Sequence, residues 1–339
     1  MKKILTLSGL LLLGTSLAVS QLALSQTSTA DLTIYTGRNR STIEPLVKQY
    51  QQKTGLKINV VYGNDTAMLE QLGKESKTPK ADIFIGNSAR NLDTFSKNKQ
   101  FWKLPNSAVS DIAPNLISAS QDWLPIALRF RVLAYNRDNV KPEQLPQSIF
   151  ELEKWKNFKG KIGWAPLDSG FQEIVGHIAN TQGENTAKTW LQAIIALEPQ
   201  DYGSGNTGML EDVGNGILDV VFTGHTTMMR IQRAGYRISA HMFKAGDAGN
   251  LKDSSGAGIL KSSRRKSAGL HFLRYLVGAE AQSFIYGVNF EYPAAASVPY
   301  PTTLTAYQDV AARCINLAPS STLTNITLGE KLLTEVGVL

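Results

Sequence analysis

Residues 32–63 read LTIYTGRNRSTIEPLVKQYQQKTGLKINVVYG, in which two short apolar runs flank a segment with helical spacing. The apolar runs at 32–35 and 57–63 predict two strands, and the segment between them predicts a helix over 42–54. Ser41 precedes that helix and begins a capping-box pattern, which is typical of a helix start. The stretch therefore predicts a strand–helix–strand unit, and this unit indicates the fold class.

The alternation of strands and helices continues along most of the chain. A helix near 67–76 and the strand ADIFIG at 81–86 complete a βαβαβ opening, and a second series starts with the strand RVLAYN at 131–136. The later strands are predicted at 161–166, 218–222 and 236–243. The later helices are predicted at 171–182, 186–196, 208–215 and 267–286, and one more helix is predicted to follow the strand at 218–222 and to end at Arg233. The pattern predicts an α/β protein with two lobes.

The first 25 residues carry the features of a secretory signal peptide. Lys2 and Lys3 precede an apolar run, and Ala23-Leu24-Ser25 is a small-x-small cleavage pattern. The mature chain is expected to begin near Gln26. A leader that is retained as a membrane anchor stays open as the alternative.

Charge and cysteine content narrow the class of protein. The formal net charge of +7 is modest for 339 residues, so no nucleic-acid partner is expected. Cys314 is the single cysteine, which excludes an intramolecular disulfide. We expect a soluble, exported monomer that needs no cofactor.

Two of the predicted strands run into loops of the same kind. ADIFIGNSARNL contains Asp82, LDVVFTGHTTMM contains Asp219, and each strand continues into a Gly-polar loop and then a helix. Ligands of open parallel sheets lie at the carboxyl ends of the strands, where helix starts present unpaired N–H groups. The GNS and GHTT loops are therefore expected to face a common cleft.

Eight motifs occur along the mature chain in a distinctive order and spacing. They are LTIYTGR, KTGLKINVVYG, ADIFIGN, LRFRVLAYN, WKNFKGKIGWAP, NGILDVVFTG, SSGAGILKSS and NITLGEKLLTEVGVL. In these motifs the chain resembles the periplasmic solute-binding proteins of ABC transporters, specifically the ferric-iron-binding branch. The resemblance implies a two-lobed type II periplasmic binding protein fold with a central cleft and two crossing strands.

The resemblance also implies how the chain divides between the lobes. The crossing strands would lie near 128–132 and 254–258. The implied division is a signal peptide at 1–25, an N-terminal lobe of 26–128 plus 255–300, and a C-terminal lobe of 129–254 plus 301–339.

The metal ligands that the resemblance implies are replaced in this sequence. Iron-binding members place a histidine after the first strand, where this chain has Asn39 and Arg40. A glutamate would fall at Asn87, and a tyrosine pair at Thr226 and Thr227. Ferric iron prefers anionic oxygen donors, which these side chains do not supply. We therefore expect no direct ferric coordination by them, while a ferric binder that uses other residues or a chelate stays open.

The same cleft has features that suit an anion. Arg38 and Arg40 precede the first helix, Asn87 and Ser88 precede another, and the positive ends of helices attract anions. By the resemblance, Ser169, Gly170 and Asn206 correspond to positions that hold a synergistic anion. The predicted ligand-binding residues are Arg38, Asn39, Arg40, Asn87, Ser88, Ser169, Gly170, Asn206, His225, Thr226 and Thr227.

Each of these residues also has a purely structural interpretation. Arg38 and Arg40 could form a surface salt bridge with Glu44, and His225 could be a structural hydrogen-bonding group. Arg129 and Arg131 share one face of a crossing strand, which favours an interlobe ion pair. The threonines of the GHTT loop could cap a helix, and so could the Ser-Gly pair. The aspartates of the two strands are expected to form hydrogen bonds at the strand edges.

Catalytic and cofactor motifs are weak in this sequence. GSGNTG at 203–208 fits a dinucleotide-binding pattern, but no buried strand precedes it. The four histidines lack metal-ligand spacing, and no G-x-S-x-G motif is present. We therefore expect a periplasmic solute-binding component of an ABC import system, which closes on a small anionic ligand and delivers it to a membrane permease. An exported enzyme on a similar fold remains the alternative.

Overall fold

The computed structural model describes residues 30–75, 78–299, 310, 312–315 and 319–339. Within them, ten strands form one mixed sheet with the order β2-β1-β3-β9-β4-β7-β5-β6, and β8 and β10 pair with β4. The strands are β1 (Leu32–Thr36), β2 (Ile58–Tyr62), β3 (Ile83–Gly86), β4 (Trp123–Asn136), β5 (Ile162–Trp164), β6 (Gln200–Asp201), β7 (Val220–Gly224), β8 (Ile238–His241), β9 (Lys252–Ile259) and β10 (Tyr292–Pro293).

Helices accompany the strands in the alternation that the sequence predicts. They are α1 (Arg40–Thr54), α2 (Asp65–Lys74), α3 (Ala89–Lys97), α4 (Asn106–Val109), α5 (Leu152–Trp155), α6 (Ser169–Gln182), α7 (Glu184–Ile195), α8 (Asn206–Gly214), α9 (His225–Arg233), α10 (Lys266–Leu276), α11 (Ala279–Asn289) and α12 (Pro319–Glu335). The predicted signal peptide lies outside the described residues, as does part of the segment after residue 299. No helix of the described chain has the length and apolar character that crossing a membrane requires.

The opening unit forms as predicted, except at the start of its helix. β1 pairs in parallel with β2 and β3, and α1 buries one apolar side and ends at Gly55, which has a φ of 71°. The prediction of Ser41 as N-cap is wrong. Asn39 occupies that position, and its carbonyl accepts from the amides of Thr42 and Ile43. Because the Asn39 carbonyl accepts these first helical bonds, the helix begins at Arg40, two residues earlier than predicted.

The long helix predicted at 267–286 is two helices in the structure. α10 ends at Leu276, and α11 starts after Gly278, which is its N-cap. Glycine is a poor helix former because ordering it costs the most backbone entropy. The break lets the two helices pack separately against the same lobe.

The crossing strand β4 joins the two halves of the sheet. Its first part, from Trp123 to Phe130, pairs with β9, and Arg131 to Tyr135 pair with β7. We call the half with β1, β2, β3, β9 and β10 the first lobe and the half with β5 to β8 the second lobe. β9 pairs with β3 and with the first part of β4, and the amide of Arg131 donates to the carbonyl of Leu251, so β9 follows β4 up to the point where β4 enters the second lobe.

Helix α12 lies where the lobes meet. It packs closely along α6 of the second lobe and also contacts α3 of the first. The close packing depends on two glycines. A Cβ at Gly176 would lie 1.7 Å from the carbonyl oxygen of Asn325, and one at Gly329 would lie 1.9 Å from that of Gln172. These two positions bring the backbones of α6 and α12 together and place α12 beside the cleft.

Candidate functional site

The two lobes enclose a polar cavity of about 300 Å³, which we call the interlobe cleft. The first lobe lines it with the loop after β1 and the starts of α2 and α3, and the second lobe lines it with β4, α6 and α12. Three predicted ligand-binding residues, Asn87, Ser88 and Ser169, lie together on its wall. Both lobes therefore contribute polar groups to the cleft.

A larger cavity of about 880 Å³ lies elsewhere, beside α9 and β8. Of the predicted ligand-binding residues, it is lined by His225. Its other walls are largely formed by apolar side chains such as Phe130, Met228 and Met229. We place the candidate site in the smaller interlobe cleft because that cavity has polar walls from both lobes and the start of helix α6.

On the first-lobe side of the cleft, Asp65 binds the loop that precedes α3. Its carboxylate accepts from the amide of Asn87 at 2.9 and 3.0 Å and from the side chain of Asn91 at 2.8 Å. Burial raises the pKa of Asp65, while these hydrogen bonds oppose the increase. The carboxyl oxygen approaches Gly37 so closely that a Cβ there would lie 1.5 Å away. The amide that the sequence offers to an anion thus already binds a carboxylate of the protein.

Asp168 has the same role on the second-lobe side. It accepts from the amides of Gly170 at 2.9 Å and Phe171 at 3.2 Å, and from the side chain of Asn206 at 3.1 Å. Arg131 lies against Gly170, where a Cβ would be 1.6 Å from the guanidinium carbon. The Gly170 amide and Asn206 are therefore bound within the protein, while Ser169 remains exposed on the wall of the cleft.

Arg38 and Arg40 lie outside the lining of the cleft. Arg38 is 4% exposed and makes a bidentate ion pair with Glu291, at 2.9 and 2.5 Å. Burial alone would raise the pKa of Glu291, but Arg38 and Arg129 hold that pKa below its usual value. Arg40 is exposed, lies 3.7 Å from Glu44, and covers the ring of a neighbouring tyrosine. The salt bridge between Arg40 and Glu44, one of the interpretations left open by the sequence, is present.

His225 is a buried structural group in this fold. Its Nδ1 accepts from the amide of Phe130 at 2.9 Å, and its Nε2 lies 2.9 Å from the carbonyl of Phe290. Burial lowers the pKa of His225 to about 4, so the ring is neutral at pH 7 and Nε2 donates. Thr226 and Thr227 occupy the first turn of α9, and Thr227 accepts from a nearby arginine.

Several charged residues in or beside the cleft are not among the predicted ligand-binding residues. Arg129 pairs with Asp253 at 2.6 Å inside the first lobe, so it does not make the interlobe ion pair that its spacing favours. Arg131 lies 3.5 Å from Asp168 inside the second lobe. Glu173 follows Ser169 by one helical turn, and that i, i+4 spacing in an apolar helix is the signal that could have identified it.

Two α/β lobes, a long crossing strand and a polar cleft between them define a two-lobed solute-binding protein with the type II periplasmic fold. The chain belongs to the family of bacterial extracellular solute-binding proteins, which matches residues 36–283. It is the solute-binding component of an ABC import system, so it carries a small ligand to a membrane permease. The fold and family expected from the sequence are confirmed.

Individual relatives are similar over most of their length. The major ferric iron-binding protein of Neisseria meningitidis serogroup B is 26% identical over 289 residues, which are 82% of this chain and 85% of the relative. The crystal structure of iron-bound HitA from Pseudomonas aeruginosa is 25% identical, has a TM-score of 0.79, and is matched over 90% of this chain and 99% of that one.

A third similar structure differs in its bound molecule. It is the periplasmic binding protein AfuA from Actinobacillus pleuropneumoniae with fructose-6-phosphate. AfuA is 16% identical, has a TM-score of 0.69, and is matched over 91% of this chain and 99% of that one. At this identity the likeness concerns the fold alone.

Proposed function

We propose that the interlobe cleft binds a small, polyhydroxylated organic anion, such as a sugar phosphate or a hydroxy acid, in the bacterial periplasm. The central observation is that Arg90 of the first lobe and Arg131 of the second line the same cavity. Among the described residues, no acidic side chain pairs with Arg90, and Arg131 has only a long contact of 3.5 Å with Asp168. Two incompletely paired guanidinium groups suit an anionic group held between the lobes.

The rest of the cleft suits hydroxyl groups. Asn91 and Ser88 offer neutral polar atoms, and Asp65 and Asp253 offer carboxylates that are held in place by other contacts. Side-chain amides and carboxylates of this kind bind sugar hydroxyls with directional hydrogen bonds. A ligand with one charged group and several hydroxyls would use both kinds of side chain, and closure of the lobes would follow from contacts with both walls.

A ferric chelate is the second candidate. It is favoured by the relative from Neisseria meningitidis, whose name describes ferric iron binding. The side chains that line the cleft include no tyrosine, and no group of three or more His, Cys, Asp or Glu side chains in the described chain could hold a metal. A chelate with an anionic outer face would need the same two arginines and no protein ligand to iron.

Calorimetric titration tests the proposal directly. The probes are fructose 6-phosphate, citrate, ferric citrate, inorganic phosphate and, as a neutral control, fructose. We expect one molecule of a hydroxylated anion to bind per chain, without turnover, and the neutral sugar to bind more than tenfold more weakly. The same pattern with ferric citrate preferred to citrate would favour the second candidate.

Three variants connect the binding to the cleft. Arg90→Ala and Arg131→Ala should each weaken anion binding by about 1.5–3 kcal/mol, which is roughly 10- to 150-fold. Arg40→Ala is the matched control. Because Arg40 is exposed and lies outside the cleft, its removal should leave the affinity unchanged. A tight complex with bare Fe³⁺ that shows a tyrosinate charge-transfer band, or equal binding of fructose and fructose 6-phosphate, would overturn the proposal.

A further inference from the structure

Glu173 is a buried acid whose hydrogen bonding is incomplete. It is 1% exposed, lies on α6 and lines the interlobe cleft. The hydroxyl of Thr322 on α12 donates to its carboxyl group, but Oε1 is buried and has no hydrogen-bond partner in the described structure. An unsatisfied buried polar atom costs about 1–3 kcal/mol. Such an atom on the wall of a binding site can regain its partner from the ligand.

The charged groups around Glu173 make their nearest ion-pair contacts with other residues. On β4, Arg131 has its long contact of 3.5 Å with Asp168, and on β9, Asp253 pairs with Arg129. Among the described residues, no cation forms a salt bridge with Glu173. Burial, followed by the negative charge of Asp253, raises the pKa of Glu173 to about 8, against the opposing effect of the two arginines.

The first lobe contributes the opposite wall. Asp65 and Arg90 line the same cavity from α2 and α3, while Ser169 lies one helical turn before Glu173 on α6. At pH 7 the carboxyl group of Glu173 is mainly neutral, so it can both donate and accept a hydrogen bond. A buried hydroxyl group of a ligand needs both a hydrogen-bond donor and a hydrogen-bond acceptor from its partners. A neutral acid also avoids the repulsion that a carboxylate would exert on an anion.

We propose that Glu173 is a ligand-contacting residue of the interlobe cleft that binds a hydroxyl group of the solute, so that the cleft selects hydroxylated anions over simple ones. This inference rests on the proposed function and deepens it. The arginines would bind the anionic group, and Glu173 would form a hydrogen bond with the neighbouring hydroxyl group. Removing Glu173 should therefore change selectivity between anions rather than the affinity for all anions.

The first test compares two variants with two probes by calorimetry at pH 6.5. In the wild-type protein, fructose 6-phosphate should bind at least tenfold more tightly than inorganic phosphate. Glu173→Leu should reduce that ratio by tenfold or more while leaving the affinity for inorganic phosphate unchanged. Glu173→Gln, which keeps one donor and one acceptor, should retain the wild-type ratio within about threefold.

The second test varies the pH and compares the affinities of the wild-type protein and of Glu173→Gln for the same probe. Their ratio cancels the titration of the probe itself. Between pH 6.5 and 9 the wild-type protein should lose affinity for fructose 6-phosphate relative to Glu173→Gln, because the wild-type acid becomes charged. Charge repulsion without contact would lower the same ratio equally for inorganic phosphate, so the loss should be larger for fructose 6-phosphate than for inorganic phosphate.

The outcomes separate this inference from the proposed function. Two results would overturn the role of Glu173 alone, provided that the wild-type protein binds fructose 6-phosphate. In the first, Glu173→Leu loses affinity equally for both probes. In the second, the ratio of the wild-type affinity to the Glu173→Gln affinity does not change with pH. Failure of the wild-type protein to bind fructose 6-phosphate, citrate or inorganic phosphate overturns the proposed function and this inference together. Thermal unfolding of both variants confirms that they are folded.

Discussion

Replacing Arg38 by methionine should destabilise the fold rather than abolish a ligand contact. The side chains of Arg38 and Glu291 are 3% and 4% exposed, and the variant would leave the Glu291 carboxylate buried without its bidentate partner. Arg129 approaches that carboxylate only at 3.9 Å and would replace the lost bonds poorly. Breaking a buried pair in this way costs about 3–5 kcal/mol.

Urea unfolding followed by circular dichroism measures this change. Arg38→Met should lower the free energy of unfolding by about 3–5 kcal/mol, and the double variant Arg38→Met/Glu291→Leu should recover most of it, because it removes both charges. Arg40→Met is the control, and its exposed pair with Glu44 should contribute about 0–1 kcal/mol.

The ion pair also predicts an acid dependence. Because the pKa of Glu291 is lowered in the fold, its stabilising effect is present above the unfolded value and is lost as the pH falls through the folded one. The reasoning would be refuted if Arg38→Met unfolded like the wild-type protein but bound anions at least tenfold more weakly. That result would assign Arg38 to the ligand site, as the sequence pattern suggests.

Three further changes test the packing and the buried titratable groups. Gly176→Ala places a methyl group against the backbone of Asn325 and should lower the free energy of unfolding by about 1–3 kcal/mol, measured by urea denaturation. His225, with a pKa of about 4, should stabilise the fold fully above about pH 6.5 and lose about 3 kcal/mol of that effect by pH 4, so His225→Gln should flatten this acid limb of the stability curve. Glu173, with a pKa of about 8, contributes stability that is present below its unfolded pKa and is lost as the pH rises to 8, so Glu173→Gln should melt higher than the wild-type protein at pH 9 and equally at pH 4.5. Equal melting at pH 9 would contradict the burial of an acid there.

The fold was accessible from local pattern because each element carries its own periodicity. The strands of the opening unit, the helix ending at Gly55 and the crossing strand at 131–136 are all continuous in sequence. Apolar spacing continues across Gly278, so the sequence alone predicts one helix where the structure has two. A period alone does not show whether one helix or two carry the pattern.

The site was less accessible because its contacts join distant parts of the chain. Arg38 and Glu291 are 253 residues apart, and Asp65 reaches the amide of Asn87 from another helix. The sequence indicates which helix starts border the cleft, but not that Asp65 and Asp168 already occupy their amides. Those pairings arise only when the lobes fold and bring the acids to the helix starts.

The most direct measurement is a crystal structure of the protein with bound fructose 6-phosphate. We predict that the phosphate lies in the interlobe cleft within about 3.2 Å of the guanidinium groups of Arg90 or Arg131, with a hydroxyl at Glu173. Density for the ligand in the larger cavity beside Met228, or an iron ion bound by tyrosine side chains, would contradict this.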